Sequence, residues 1–286
     1  MALLGARGRA SYRAAYLRLI EGVGSSEARS IGKNGDLILG DLVYALRPDD
    51  ELRLGVHLYY LTVGKRLPLG DTEEWWIGAT MAGRQAEIDW DAFAILNTGR
   101  LGIGVLDDAG RVVSGFDRSD AHRGYAFKAE AARTIGPVRA SVQLLYSSGD
   151  RDEATIEDRF VSPEGLFGTE GYWAYTHIFT ANGPSDVNDL AVELGNAGAG
   201  ILTLQGRLTT LLHPRLRGEL FGGWFRATHS RNSSRDMGSE IGAMGTFSIA
   251  EALSLDVGAA GAFLGEFFGS NPDRLYEVFT RFQFQY

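Results

Sequence analysis

The sequence predicts an all-β chain, a transmembrane antiparallel up-and-down β-barrel of about 12 strands with an oily outside. Three observations predict it. First, the stretch 274–286 sets Tyr276, Val278, Thr280, Phe282, Phe284 and Tyr286 on one face and Glu277, Phe279, Arg281, Gln283 and Gln285 on the other. Successive strand side chains point to opposite sides, so one face meets an apolar medium and the other a wet one. Second, the same two-residue alternation recurs along the whole chain. Third, apolar residues make up 44% with 38 Gly and only 7 Pro, and the mean hydropathy is −0.10. No run of about 18 uncharged apolar residues exists, which excludes a transmembrane helix but not a barrel, where only alternate residues need be oily.

The 286 residues read as one domain, 1–286. With Cys at 0, disulfides and thiolate metal sites are out. A net charge of −8 argues against binding nucleic acid by bulk attraction. The start, Met1-Ala-Leu-Leu-Gly-Ala-Arg7, lacks the apolar core of a signal peptide, as expected for a mature or truncated chain.

Taken in order, 6–20 places Ala10, Tyr12, Ala14 and Tyr16 against Arg7, Arg9, Ser11 and Arg13. After a Gly/Ser-rich loop, 36–47 turns Ile38, Leu42, Tyr44 and Leu46 outward and Asp41 inward. A Pro-Asp-Asp turn leads into 51–63, where Leu52, Leu54, Val56, Leu58 and Tyr60 alternate with Arg53, Gly55, His57 and Tyr59. In 73–82, Trp75, Ile77, Ala79 and Met81 face outward, and a turn is expected at Gly83-Arg84. Stretch 85–97 sets Ala86, Ile88, Trp90 and Leu96 against Glu87, Asp89, Asp91 and Asn97. Three acids in a row do not belong in a dry core.

A loop over 98–122 is expected next, then 123–135 with Tyr125 and Phe127 outward and Lys128 and Glu130 inward. Gly136-Pro137 turns the chain into 138–148, with Val142, Leu144 and Tyr146 outward and Arg139 and Gln143 inward. The irregular stretch 149–198 is long enough to be functional and to constrict a pore. Stretches 199–212 and 215–227 pair about His213-Pro214, with Leu204, Leu208, Leu220 and Trp224 outward and Gln205, Arg207, Arg217 and Glu219 inward. The last hairpin, 238–249 with 252–266, sets Ile241, Phe247, Val257 and Phe263 against Glu240, Thr246 and Asp256.

The tight connections all fall on one side and the longer ones on the other, the pattern of short periplasmic turns and long extracellular loops. Aromatic side chains sort by height as well. Tyr60, Trp75, Tyr125, Tyr146, Trp224 and Tyr276 fall at the long-loop ends of outward faces, and Tyr44, Phe247 and Tyr286 at the short-turn ends. Two aromatic rings flanking an aliphatic band are what two membrane interfaces select.

The inward set reads as pore-lining: Arg9, Arg13, Arg53, Lys128, Arg139, Arg207, Arg217 and Arg281 with Glu87, Asp89, Asp91 and Glu219. Basic rows can guide an anion across a field shaped by acids. The competing expectation is a network of ion pairs that simply fills the interior. The acidic loop 150–158 lacks the central Gly of a calcium loop and reads as solvated charge. The five His residues show no metal or nucleophile spacing, and an outer-face Ser/His pair for a hydrolase is missing, so no enzyme and no cofactor are expected.

The final strand, apolar on one face and closing on Tyr286, resembles the last strand of bacterial outer-membrane barrels. That resemblance implies recognition by the barrel-assembly machinery and outer-membrane lipid as the surrounding partner. Tyr146-Ser-Ser-Gly-Asp150, leading to Phe160 and Pro163, and Gly238-Ser-Glu-Ile-Gly242 are similar to segments of the alginate-export porins, which makes the chain look like a smaller or truncated relative. The resemblance implies a passive channel for small or anionic solutes, with polysaccharide export through an envelope complex as its finer form. A translocator barrel, or an anchor or receptor with a plugged lumen, is the alternative.

Overall fold

The computed structural model describes residues 1–20, 35–47, 52–63, 72–106, 112–150, 158–161, 173–180, 190, 192–230, 234–270 and 273–284. Among them thirteen strands follow one another: β1 (Ala2–Arg7), β2 (Ala10–Ile20), β3 (Gly35–Ala45), β4 (Leu52–Val63), β5 (Thr72–Gln85), β6 (Ile88–Leu106), β7 (Val112–Ile135), β8 (Val138–Ser147), β9 (Leu202–His213), β10 (Leu216–Arg226), β11 (Asp236–Ala250), β12 (Leu253–Leu264) and β13 (Arg274–Phe284). Each is hydrogen-bonded to its neighbours in sequence, in the order β1 to β13. Neighbouring strands pair antiparallel, for example with Val56 opposite Leu42 and Ala79. No helix among the described residues is long and apolar enough to cross a membrane.

The all-β, up-and-down reading stands, with four corrections. The first expected strand is two, because Gly8 at φ 61° and Arg9 form a tight turn that pairs Arg7 with Ala10. Arg7 therefore shares the face of Ala10 and Tyr12 rather than the inner one, and Arg9 lies in the turn, where Nη1 donates to the Leu46 carbonyl at 3.1 Å. The loop expected over 98–122 is mostly strand, since β6 runs to Leu106 and β7 starts at Val112. A ladder needs only backbone partners once two strands are already zipped below it. The β5–β6 turn sits at Ala86–Glu87 (φ 49° and 65°), not at Gly83-Arg84, because Gly83 stays in register with Leu52. Finally, the order ends at β1 and β13 without closing on itself among the described residues.

By packing, the chain divides into two compact units. One comprises Met1–Gly83, Asp91–Phe127 and Asp150–Val161, the other Arg84–Trp90, Lys128–Gly149 and Ser162–Tyr286. In the first, Leu42, Leu54, Val56, Leu58, Trp75, Ile77 and Met81 are exposed, while Trp76 and Glu74 on the opposite face are fully buried. In the second, Val142, Leu204, Leu208, Leu220, Ile241, Val257 and Phe282 are exposed, while Gln143, Gln205, Glu240 and Asp256 are buried. This inverts the distribution of a protein that lives in water. The exposed apolar face is the outer face and the other the inner one.

Chain outside the strands covers the inner face of each unit. In the first, segment 158–161 docks on β5 and β6: the Trp76 indole donates to the Val161 carbonyl at 2.7 Å. A Cβ at Gly124 would collide with the Arg159 carbonyl, so a glycine in β7 permits this close approach. In the second, Tyr175, Ile178, Phe179, Val192 and Ile201 fold onto Leu145, Phe221, Phe225, Met237, Ala260 and Ala262, an apolar core where a mostly polar inner face was expected.

Candidate functional site

The inner face of the first unit is organised on Asp41 in β3. Its carboxylate accepts from Arg13 Nε (2.5 Å), His57 Nδ1 (2.7 Å) and the Tyr59 hydroxyl (2.7 Å). The register explains the meeting, since Arg13 and His57 are the cross-strand partners of Asp41 on either side. His57 Nε2 lies 3.0 Å from Thr80 Oγ1. A Cβ at Gly55 would collide with Thr80 Oγ1, so only glycine in β4 leaves room for that contact. A cavity of about 310 Å³ opens beside the cluster, lined by Ser11, Tyr12, Arg13, Val43 and Tyr59 among others.

Carboxylate, imidazole and hydroxyl in this order have the connectivity of a nucleophile triad. The carboxylate is shared among three donors, however, one of them a guanidinium, and Thr80 sits mid-strand, where backbone N–H groups serve the sheet ladders rather than an oxyanion. The cluster is a polar wall with an exposed guanidinium. Further along this face Glu74, with no exposed surface, accepts from Asn97 at 2.8 Å. Arg53 is exposed on the same face and Asp91 is half-buried.

In the second unit most of the expected cations have acidic partners. Arg139 meets Asp89 at 2.8 Å, with Arg84 at 3.5 Å from the same carboxylate. Lys128 pairs with Glu130 at 3.0 Å and Arg217 with the buried Glu219 at 3.2 Å. Arg281 donates to Asp256 through Nε (3.0 Å) and Nη2 (2.8 Å), and Gln283 joins them. Glu87 is the exception to its expected place: it sits in the β5–β6 turn and pairs with Arg133 at 3.2 Å. Turn geometry moved it, because the two-residue hairpin takes Ala86 and Glu87 as its central pair.

Arg207 is set over a ring, its guanidinium carbon 4.2 Å from the Tyr175 centroid. Tyr175 belongs to the segment 173–180, inside the long stretch expected to constrict a pore. The inner face holds this segment at several points. Gln143 Nε2 donates to the Trp173 carbonyl at 2.9 Å, and the Tyr175 amide donates to Gln205 at 2.7 Å. The buried Glu240 carboxylate accepts the amides of His177 (2.6 Å), Ile178 (3.0 Å) and Phe179 (2.9 Å). His177 stacks on Phe279 at 4.3 Å, and Phe179 on Phe225 at 4.3 Å.

Sequence reasoning put Glu240, Gln143 and Gln205 on the inner face but missed that they form one seat. The inward parity was the available signal; the partner lies over sixty residues away for Glu240, beyond any local pattern. Outer-face aromatics meet across strands, as Tyr60 and Trp75 do at 4.3 Å between centroids. Tyr44, Trp75, Tyr125, Trp224, Phe247 and Tyr276 are exposed, and Tyr60 and Tyr146 are partly so. Tyr286 lies outside the described residues. No grouping of His, Asp and Glu suited to a metal ion occurs among the described residues.

No family model matches the chain, and no curated protein matches it by sequence. Among solved structures it is similar to the outer membrane protein opdK from Pseudomonas aeruginosa (TM-score 0.55, 14% identity, 98% of this chain and 68% of that one). It is also similar to a BenF-like porin from Pseudomonas fluorescens Pf-5 (TM-score 0.55, 12% identity, 99% of this chain and 66% of that one). A third is Pseudomonas aeruginosa OccK5 (OpdH), with TM-score 0.54, 13% identity, 100% of this chain and 70% of that one. At such identities the likeness is one of fold: an antiparallel up-and-down wall of the porin kind. The alginate-export family is not shown by it.

Proposed function

We propose that the chain forms the wall of an outer-membrane channel for small solutes. The observation that carries this is the inversion of its two faces: Leu, Val, Ile and aromatic side chains exposed outward, and carboxylates, amides and guanidinium groups inward. Lipid suits the first face and a solute path the second. The porin fold of the structural neighbours supports the reading. Nothing in that likeness supports a polysaccharide cargo, so small and, by the exposed Arg13 and Arg139, anionic solutes are the better proposal. Outer-membrane lipid, and the assembly machinery acting on β13, are the partners this reading proposes.

One observation favours a second reading. The apolar core that Tyr175, Ile178, Phe179, Val192 and Ile201 build on the inner face of the second unit is what a plugged barrel, serving as anchor or receptor, would need. Single-channel recording in a planar bilayer with asymmetric salt separates the two. Discrete current steps, with a reversal potential on the anion side, are the expected result. Inserted protein that passes no current would sink the channel and leave the anchor.

A further inference from the structure

The arginines of the inner face that make ion pairs contrast with two at the β10–β11 edge, Arg226 and Arg235, that make none among the described residues. Arg226 ends β10 two residues beyond Trp224, so both point outward. Arg235 stands just before β11, its carbonyl accepting the Ala227 amide at 2.9 Å. With Trp224, Ser234 and Asp236 they line a concavity of about 560 Å³. Both arginines are exposed, and among the described residues neither makes an ion pair, although Asp236 lies across from Arg226 in register. The Asp236 carboxylate is turned to its own strand, accepting the Gly238 amide at 3.2 Å. Trp224 marks the height, since an exposed indole on the apolar face belongs at a membrane interface. One strand pair further on, Arg274 lies over the Phe263 ring at 5.4 Å, a second cation carried on an outward aromatic at the same edge.

We propose that Arg226 and Arg235 bind the phosphate of a lipid headgroup, at the long-loop edge of the outer face. Two guanidinium groups that make no ion pair among the described residues outnumber the one carboxylate of the lining, Asp236, and offer forked donors matched to phosphate oxygens; Ser234 adds a hydroxyl, and the indole of Trp224 packs beside the first acyl segment. A neutral headgroup gives these donors too little charge, and a free anion makes no use of the adjoining apolar face. The site rests on the membrane reading above.

The test uses the full chain inserted into phosphatidylcholine vesicles with and without phosphatidic acid, extracted gently, and weighed with its bound lipid by native mass spectrometry. Insertion is scored first, by flotation with the vesicles. The wild type is expected to retain phosphatidic acid over phosphatidylcholine, and R226Q/R235Q to insert equally but bind it about thirtyfold more weakly. Equal retention by wild type and double variant would overturn the site. So would displacement of the lipid by millimolar inorganic phosphate alone, which would make this a site for a free anion. Failure of both proteins to float would instead overturn the membrane reading, and this site with it.

Discussion

Asp256 shows what a single charged residue contributes on the inner face. It has no exposed surface, and Arg281, itself largely covered, donates to it twice. A buried ion pair returns little net stability, but breaking it strands a charge. Arg281→Ala is therefore expected to cost about 3 kcal/mol, and Asp256→Asn combined with it less than the sum of the two singles. Denaturant titration of the inserted protein reads both; strict additivity would mean the pair is not coupled. Glu240 acts by a different route, as the common acceptor of three consecutive amides. Glu240→Gln removes the charge and one acceptor oxygen, and it should free the segment 173–180. Since the chain has no Cys, a Thr176→Cys reporter at a site with 0% exposure is clean. It is expected to react with a water-soluble maleimide about tenfold faster in the Glu240→Gln background. Identical rates in the two backgrounds would remove the anchoring role.

At the scale of elements, β4 is the plainest case of a strand written in its own alternation. Leu54, Val56 and Leu58 are exposed, and His57 and Tyr59 turn inward to Asp41. Val56→Arg places a charge in the middle of that outer face and should weaken insertion by about 2–4 kcal/mol if it lies at the membrane midplane. Unimpaired insertion of this variant would contradict the outward assignment. The β5–β6 turn offers the opposite test, of a local cost that can be relieved. Ala86 sits at φ 49°, where a Cβ is strained, and Ala86→Gly should stabilise by up to about 1 kcal/mol, seen as a higher denaturation midpoint. A lower midpoint would mean that the added freedom of glycine in the unfolded chain outweighs the relief.

At the scale of the molecule, the outer faces of both units carry side chains that ordinarily fill a core. On the membrane reading, such surfaces call for an amphiphile to cover them. Diluted from denaturant into buffer it should aggregate, and into detergent micelles or vesicles it should gain the circular dichroism of β-structure. A soluble, well-dispersed monomer in plain buffer would defeat the membrane reading outright. The chain spans about two thirds of the length of its structural neighbours, and its likeness to them lies in fold alone.

The sequence by itself determined that this is an antiparallel sheet with one oily and one polar face. Side-chain alternation is local, and a strand cannot hide its period. It also determined the turns at Gly136-Pro137 and His213-Pro214, because their chemistry lies in adjacent residues, whereas the expected turn at Pro48-Asp49-Asp50 lies outside the described residues. Only the tertiary structure decided that Gly8 divides the first stretch into two strands, that Glu87 leaves the inner face for a turn, and that β6 and β7 run on past their apolar bands. It alone joined Asp41, His57 and Thr80 across three strands, and brought Glu240 to amides more than sixty residues away. Those outcomes depend on register and on long-range contact, and a local pattern records which face a residue takes but not whom it meets there.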